Sequence, residues 1–165
     1  MIDWYPWMVV AHVIGAFAFV GAHGVSAFVA FRLRSERRPD HVVTLVGLSS
    51  SSLSVMYPAL LILLVAGVVA GFMGDWWGSA WIWISIGLLL AIATAMYLIG
   101  TRHYIAVRHA VGVTVPQDGK DAPPPTVASA GELDALLTSR RPELLALIGG
   151  AGLAAIIWLM QVKPF

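Results

Sequence analysis

Cysteine is absent from this chain of 165 residues, and charged side chains make up only 12% of it. Without cysteine the chain can form no disulfide, no thiolate metal site and no covalent c-type haem attachment. Soluble domains carry about 25% charged residues, so this composition argues strongly against a soluble globular fold. Ten basic residues against nine acidic ones form no broad cationic face, which excludes nucleic acid as a partner.

The sequence contains four long apolar runs instead. A membrane-spanning helix needs about 20 apolar residues, and the runs predict transmembrane helices at about 7–31, 55–73, 80–100 and 142–160. The last run is extended back to Pro142, because proline fits the first turn of a helix. Pro58 lies inside the second run, where we expect it to kink the helix or to mark its true start. The prediction is one domain, 1–165, folded as an all-α integral membrane bundle of four transmembrane helices.

The direction of the helices is predicted by the basic residues. Nine of the ten follow the first run or separate the third from the fourth, and only Lys163 lies on the opposite side. The positive-inside rule places the nine in the cytoplasm, so both termini face outward. All seven tryptophans fall at the predicted outer ends, as expected for an aromatic belt. The start of the chain also lacks the basic region of a cleaved signal peptide, which we do not expect.

A cytoplasmic segment at about 113–141 joins the third and fourth spans. Pro123, Pro124 and Pro125 prevent a regular helix there and predict an extended, mobile linker. Ser129 and Glu132 then have the spacing of a capping box, which indicates a short helix before the last span.

Two histidines in the first span are the chemically informative residues. His12 and His23 are 11 residues apart, so both lie on one face of a helix, separated by about 16 Å along its axis. That distance is too long for one shared metal ion. Each imidazole could instead give one axial ligand to its own haem. The same residues could equally bond to a neighbouring helix or handle protons, and the sequence leaves these alternatives open.

A second haem ligand would have to come from another helix. By depth, Met73 or Met160 could face His12, and Met96 or Met56 could face His23, since a thioether can bind haem iron opposite histidine. We therefore assign His12, His23, Met96 and Met73 as candidate cofactor-binding residues, the two histidines being the iron ligands. No catalytic residue is assigned.

The remaining histidines are predicted to lie at the surface, and the glycines are predicted to form helix-packing faces. His103 and His109 lie in a basic stretch and are predicted to occupy a solvated helix end, and His41 is predicted to be exposed. Small residues at Gly67/Gly71 and at 149–152 form two faces for helix packing. Because one bundle need not use both faces internally, they favour a homodimer or a subunit of a larger membrane complex.

The chain also resembles a known group. The run His12-Val-Ile-Gly-Ala-Phe-Ala-Phe-Val-Gly21 is similar to the first helix of small bacterial membrane proteins related to the copper-resistance D family. The likeness extends to Met56-Tyr57, to the segment 71–77, to Met96-Tyr97 and to the closing segment 158–165. The resemblance implies a four-helix protein of the bacterial inner membrane with a histidine on its first helix.

In a distant relative, a membrane-bound type of protoporphyrinogen oxidase, such a histidine ligates haem b, and the resemblance implies that role for His12. The expected function is haem b binding for electron transfer or a membrane redox reaction. The alternative is a non-catalytic accessory subunit of a membrane complex. Copper handling is a third possibility, which the absence of cysteine and of a dense methionine and histidine cluster disfavours.

Overall fold

The computed structural model describes residues 3–120 and 123–164, and among these it contains helices and no strand. The helices are α1 (Tyr5–Ser35), α2 (Pro39–Met73), α3 (Ala80–Met96), α4 (Arg102–Ala110), α5 (Ala130–Leu137) and α6 (Arg141–Val162). A π-helical turn, Tyr97–Thr101, joins α3 directly to α4. Four helical stretches are long and apolar enough to cross a membrane, which confirms the predicted all-helical fold with four apolar spans.

The aromatic and basic residues separate to opposite ends of these helices. At one end, which we call the tryptophan end, Trp76 donates a hydrogen bond to the Tyr5 hydroxyl and contacts Trp81 edge-on. Lys163 places its ammonium group 4.0 Å from the centre of the Trp76 ring. At the other end, the arginine end, Arg34 pairs with Glu143 and Arg37 with Asp134. The segregation agrees with the predicted pattern, while the direction of the helices across a membrane stays a prediction.

The long helices are arranged as two pairs, α1 with α2 and α3 with α6. In the first pair the backbones come close at Gly15, where an added Cβ would lie 2.7 Å from the backbone nitrogen of Leu63. In the second pair, glycines of α6 accept side chains of α3: Met96 lies over Gly149 and Ile92 over Gly152. The pairs contact each other chiefly near the two ends.

A small hydrophobic core at the arginine end joins helices from both halves of the chain. Its buried residues come from α1, α2, α4 and α5, and include Val29, Val42, Val107 and Leu133. Helix α5 contributes Leu133 and Leu137 to this core. Its first turn is closed by the predicted capping box of Ser129 and Glu132, in which the Ser129 backbone N–H donates to the Glu132 carboxylate at 2.8 Å. The predicted short helix is thereby confirmed.

The structure moves several predicted boundaries. Helix α2 begins at Pro39, well before the predicted position 55, and Pro58 lies inside it, so Pro58 does not mark its start. Proline and Asp40 suit a first helical turn, and the following serines satisfy their hydroxyls on their own helix, as Ser50 does on the Val46 carbonyl. The third helical stretch likewise runs to Ala110 instead of ending near 100.

The segment predicted as a mobile linker is held in place at several points. His109 and the backbone N–H of Val115 both bond the carboxylate of Asp118, and Ala128 donates from its backbone to the Ala110 carbonyl at 3.0 Å. Residues 121–122 of this segment lie outside the described residues. The described part of the linker is therefore anchored to α4, a correction to the expectation of free movement.

Both small-residue faces are used within the chain. The ring of His12 packs on Gly67, and Trp77 packs on Gly71. Gly149 and Gly152 receive side chains of α3, as described above. The expectation that one face would be left for a partner was wrong, so the glycines give no argument for a dimer. A homodimer or a larger complex remains a prediction without that support.

Candidate functional site

The imidazole of His12 forms a hydrogen bond between two helices. Its Nδ1 lies 2.8 Å from the backbone carbonyl oxygen of Leu63 on α2. Gly67, one turn further along α2, leaves the space that the ring occupies, because a Cβ there would lie 2.7 Å from His12 Nδ1. The position is partly buried between α1 and α2. The imidazole can therefore approach α2 this closely only because residue 67 has no side chain.

This bond fixes the tautomer of His12. A carbonyl oxygen can only accept, so Nδ1 carries the proton and donates it to Leu63. In the neutral ring, Nε2 then keeps an unshared electron pair. Histidines that bind metals commonly donate their other ring N–H to a backbone carbonyl, which orients the ring and makes the ligating nitrogen more basic. His12 therefore has a ring geometry suited to a ligand, and the same bond also satisfies it without one.

His23 lies about 16 Å further along the same face of α1, since the helix is continuous from Tyr5 to Ser35. Its ring stacks on Phe19 with a centroid separation of 5.9 Å and an angle of 13° between the planes. Within the described residues, neither ring nitrogen of His23 makes a hydrogen bond. A neutral imidazole without a polar partner is costly in hydrocarbon, which makes His23 the second candidate for a ligand.

Three serines form a polar contact between α1 and α2, one turn beyond His23. Ser26 and Ser52 place their hydroxyl oxygens 2.8 Å apart, and Ser49 donates to Ser26 at 3.1 Å. Residues 49–54 lie outside the second span predicted from the sequence, so this cluster was not predicted. The run of five serines within 49–54 is the signal that would have located it.

The structure does not place the predicted methionines opposite the histidines. Met96 lies between α3 and α6, where a Cβ at Gly149 would meet its methyl carbon at 2.6 Å. Met73 is the last residue of α2, about 9 Å beyond Gly67 along the helix, and its side chain is 44% exposed. His12 and His23 therefore share one face of α1, whereas Met96 and Met73 are separate from them.

The other histidines lie near the arginine end in different surroundings. His41 is exposed, as predicted, and its Nδ1 lies 3.0 Å from Glu36. His103 is only 6% exposed, contrary to the prediction of a solvated position, because α4 turns it towards the protein beside the ring of Tyr104. His109 is partly buried and bonds Asp118 at 3.0 Å. These contacts tie segments of the chain together.

The two carboxylates that bond these histidines have lowered pKa values. The pKa of Glu36 falls from 4.5 to about 2, because the backbone N–H groups of Arg38 and Arg37 and the ring of His41 bond its carboxylate. The pKa of Asp118 is also lowered, first by the backbone N–H of Val115 and then by His109. Both carboxylates cap turns between helices, and their ionised form holds those turns.

The described residues form no cluster of metal-ligating side chains larger than a pair. Among residues 3–120 and 123–164, no group of three or more histidine and acidic side chains could hold a metal ion. Comparison with known proteins gives no match: no family model, no curated protein and no solved structure is similar to this chain. The contacts between α1 and α2 are therefore the observations that bear on function.

Proposed function

We propose that this chain is a multi-pass membrane protein that binds haem b through His12. The observation that carries the proposal is the hydrogen bond from His12 Nδ1 to the Leu63 carbonyl at 2.8 Å, which makes Nε2 the nitrogen with the unshared electron pair in the neutral ring. A partly buried imidazole oriented in this way matches the usual form of a histidine that ligates a metal. The four apolar helices supply the surrounding low-polarity medium.

His12 would hold the iron, and His23 is the candidate for a second haem on the same face. Haem b would supply one-electron chemistry within the membrane. The Leu63 carbonyl would hold the His12 ring in one orientation, and Gly67 would keep the space beside it. Met96 packs on α6 and Met73 lies at the end of α2, so neither methionine is assigned to the haem that His12 would hold. The same resemblance that suggests haem also suggests the bacterial inner membrane, and the distribution of the basic residues suggests that both termini face outward.

A second candidate is a non-catalytic accessory subunit of a membrane complex. The same contacts favour it, because the Leu63 carbonyl already satisfies His12 Nδ1 and no cofactor is needed for the packing. Much of the apolar surface of the four spans faces outward, including Phe17 at 77% exposure and Leu147 at 68%. In this function the exposed helices would pack against partner helices or lipid, and His12 would only connect α1 to α2.

Absorption spectroscopy separates the two candidates. We expect the purified full chain to show a reduced-minus-oxidised α-band of the b type after dithionite, and His12→Gly to lose it. Adding imidazole to His12→Gly should restore the band, because free imidazole can replace the missing ligand. His41→Gly, at an exposed position, should leave the spectrum unchanged. A folded protein that stays colourless after haem addition would overturn the haem proposal, and co-purification of a stoichiometric membrane partner would then support the accessory function.

A further inference from the structure

A small cavity with a mixed polar and apolar lining lies where α3 passes through its π-helical turn. It has a volume of about 150 Å³. Its lining residues come from the π turn, the start of α4 and the following linker: Tyr97, Leu98, Thr101, Arg102, Ile105 and Gln117. A π turn widens the helix and is often found at functional positions. The cavity is far from His12 and takes no part in the function proposed above.

The depth of the cavity corresponds to a lipid headgroup. Trp81 lies at the tryptophan end, and Thr101 is 20 residues further along a continuous helical stretch, which is about 30 Å. This equals the thickness of the hydrocarbon core, so Thr101 and Arg102 lie at the opposite interface when Trp81 lies at the first. Tyr97 and Leu98, one turn before them, are 67% and 60% exposed towards the hydrocarbon side.

The charge of the cavity is positive. Arg102 is the one charged residue among the six that line it. Within the described residues Arg102 makes no ion pair or hydrogen bond, whereas Arg34, Arg37 and Arg38 are paired with acidic side chains. Asp118, next to Gln117, is held by His109 and by the backbone of Val115. Arg102 is therefore an exposed cation with donor groups of Thr101 and Gln117 beside it.

We propose that this cavity binds the phosphate of an anionic phospholipid. A guanidinium group can donate two parallel hydrogen bonds to a phosphate, and a threonine hydroxyl and a glutamine amide are further donors. Leu98 and Ile105 provide the apolar surface for the start of an acyl chain, and Tyr97 suits the interface with its ring in lipid and its hydroxyl near water. The combination of one unpaired cation, neutral donors and adjoining apolar surface matches a lipid better than a soluble anion.

Native mass spectrometry of the delipidated full chain in detergent provides the test. We expect phosphatidylglycerol to bind more tightly than phosphatidylcholine. Arg102→Gln should weaken phosphatidylglycerol binding about tenfold, equal to about 1.4 kcal/mol, and leave phosphatidylcholine unchanged. Arg32→Gln is the matched control, because Arg32 is also an exposed arginine without a side-chain partner in the described residues and does not line the cavity. It should retain wild-type binding.

Three results would overturn the proposal. One is equal loss of phosphatidylglycerol in Arg102→Gln and Arg32→Gln, which would show a general effect of charge. Another is equal binding of the two lipids by the wild type. The third is displacement of bound phosphatidylglycerol by millimolar inorganic phosphate, which would identify a soluble phosphate as the ligand. If circular dichroism shows Arg102→Gln to be misfolded, Gln117→Ala at an exposed linker position replaces it, and unchanged binding there would also contradict the site.

Discussion

The two helix pairs are held together by different contacts. Between α1 and α2 the backbones approach closely at Gly15, and polar side chains bridge the helices at His12 and at the cluster of Ser26, Ser49 and Ser52. Between α3 and α6 the described contacts are apolar side chains, such as Met96, seated on glycines. The first pair is therefore fixed by directional bonds and backbone shape, and the second by side chains that can adjust.

This difference matters because the hydrophobic effect does not drive helices together inside a bilayer. Close packing and hydrogen bonds have to supply the association. Directional contacts allow only one alignment of α1 against α2, which suits a pair that holds His12 in a fixed orientation. A methionine against glycine tolerates small shifts, because the thioether chain has several rotatable bonds. The comparison predicts that similar substitutions will have unequal effects in the two pairs.

The largest effect is expected for Gly15→Ala. Its Cβ would lie 2.7 Å from the Leu63 backbone nitrogen and 3.1 Å from the Ala59 carbonyl oxygen, so the helices must separate. We expect a loss of about 2 kcal/mol in the free energy of unfolding, measured by titration with sodium dodecyl sulfate. Gly24→Ala in the same helix has no atom within 4 Å of its new methyl group and should not destabilise. Equal effects at the two positions would contradict the close approach.

A smaller effect is expected for His12→Leu. It removes the hydrogen bond to Leu63 while keeping a side chain of similar size. Hydrogen bonds between membrane helices contribute about 0.6 to 1.7 kcal/mol, so a loss of about 1 kcal/mol is expected in cofactor-free protein. His23→Leu is the control on the same face, since His23 has no hydrogen bond within the described residues, and it should cost less. A larger loss for His23→Leu would show that the bond of His12 is not the stabilising contact.

In the second pair, Gly149→Ala should cost less than about 0.5 kcal/mol. The new Cβ would lie 2.6 Å from the terminal methyl of Met96, which can rotate away. Measuring Gly149→Ala and Gly15→Ala under the same conditions compares the rigid pair, α1 with α2, directly with the adjustable pair, α3 with α6. A destabilisation as large as that of Gly15→Ala would mean that α3 and α6 are packed as rigidly as α1 and α2.

The smallest effect concerns the turn that connects α1 to α2. The pKa of Glu36 is about 2 in the folded protein and ordinarily 4.5, so its stabilisation is complete above pH 4.5 and is lost as the pH falls towards 2. Because the carboxylate is partly exposed to water, solvent screening reduces the effect. The stability difference between wild type and Glu36→Gln should therefore shrink between pH 5 and pH 3. A difference that stays constant with pH would exclude the carboxylate as its source.

The sequence predicted the apolar helices well, because a helix that crosses a hydrocarbon layer needs a certain length and an apolar composition, and both can be counted in the sequence. It placed His12 and His23 on one face for the same reason, since helical periodicity needs no knowledge of neighbours. The partner of His12 could not be predicted from the sequence, because every residue has a backbone carbonyl. The packing of α1 on α2 determines that the carbonyl of Leu63 is the acceptor.

The first half of α2 was missed for a different reason. Its serines lower the hydropathy of residues 49–54, although their hydroxyls bond the preceding turn and leave the helix intact, as Ser51 does on Gly47. The burial of His103 was also missed, because it depends on the core that α4 and α5 form together at the arginine end. The first error arose because hydropathy undervalues serines that bond their own helix, and the second because the burial of His103 depends on tertiary contacts.

The core at the arginine end also sets an order for biosynthesis. Val29 and Val42 are made early, but Leu133 and Leu137, which complete the core around them, are encoded roughly a hundred residues later. At about 5 to 20 residues per second, the nascent chain displays an unfinished apolar surface for roughly 5 to 20 seconds after Val42 is polymerised. A chain that terminates before α5 would lack both the residues that close this core and the last apolar helix, α6, so its core would stay open, a form suited to recognition by chaperones and proteases.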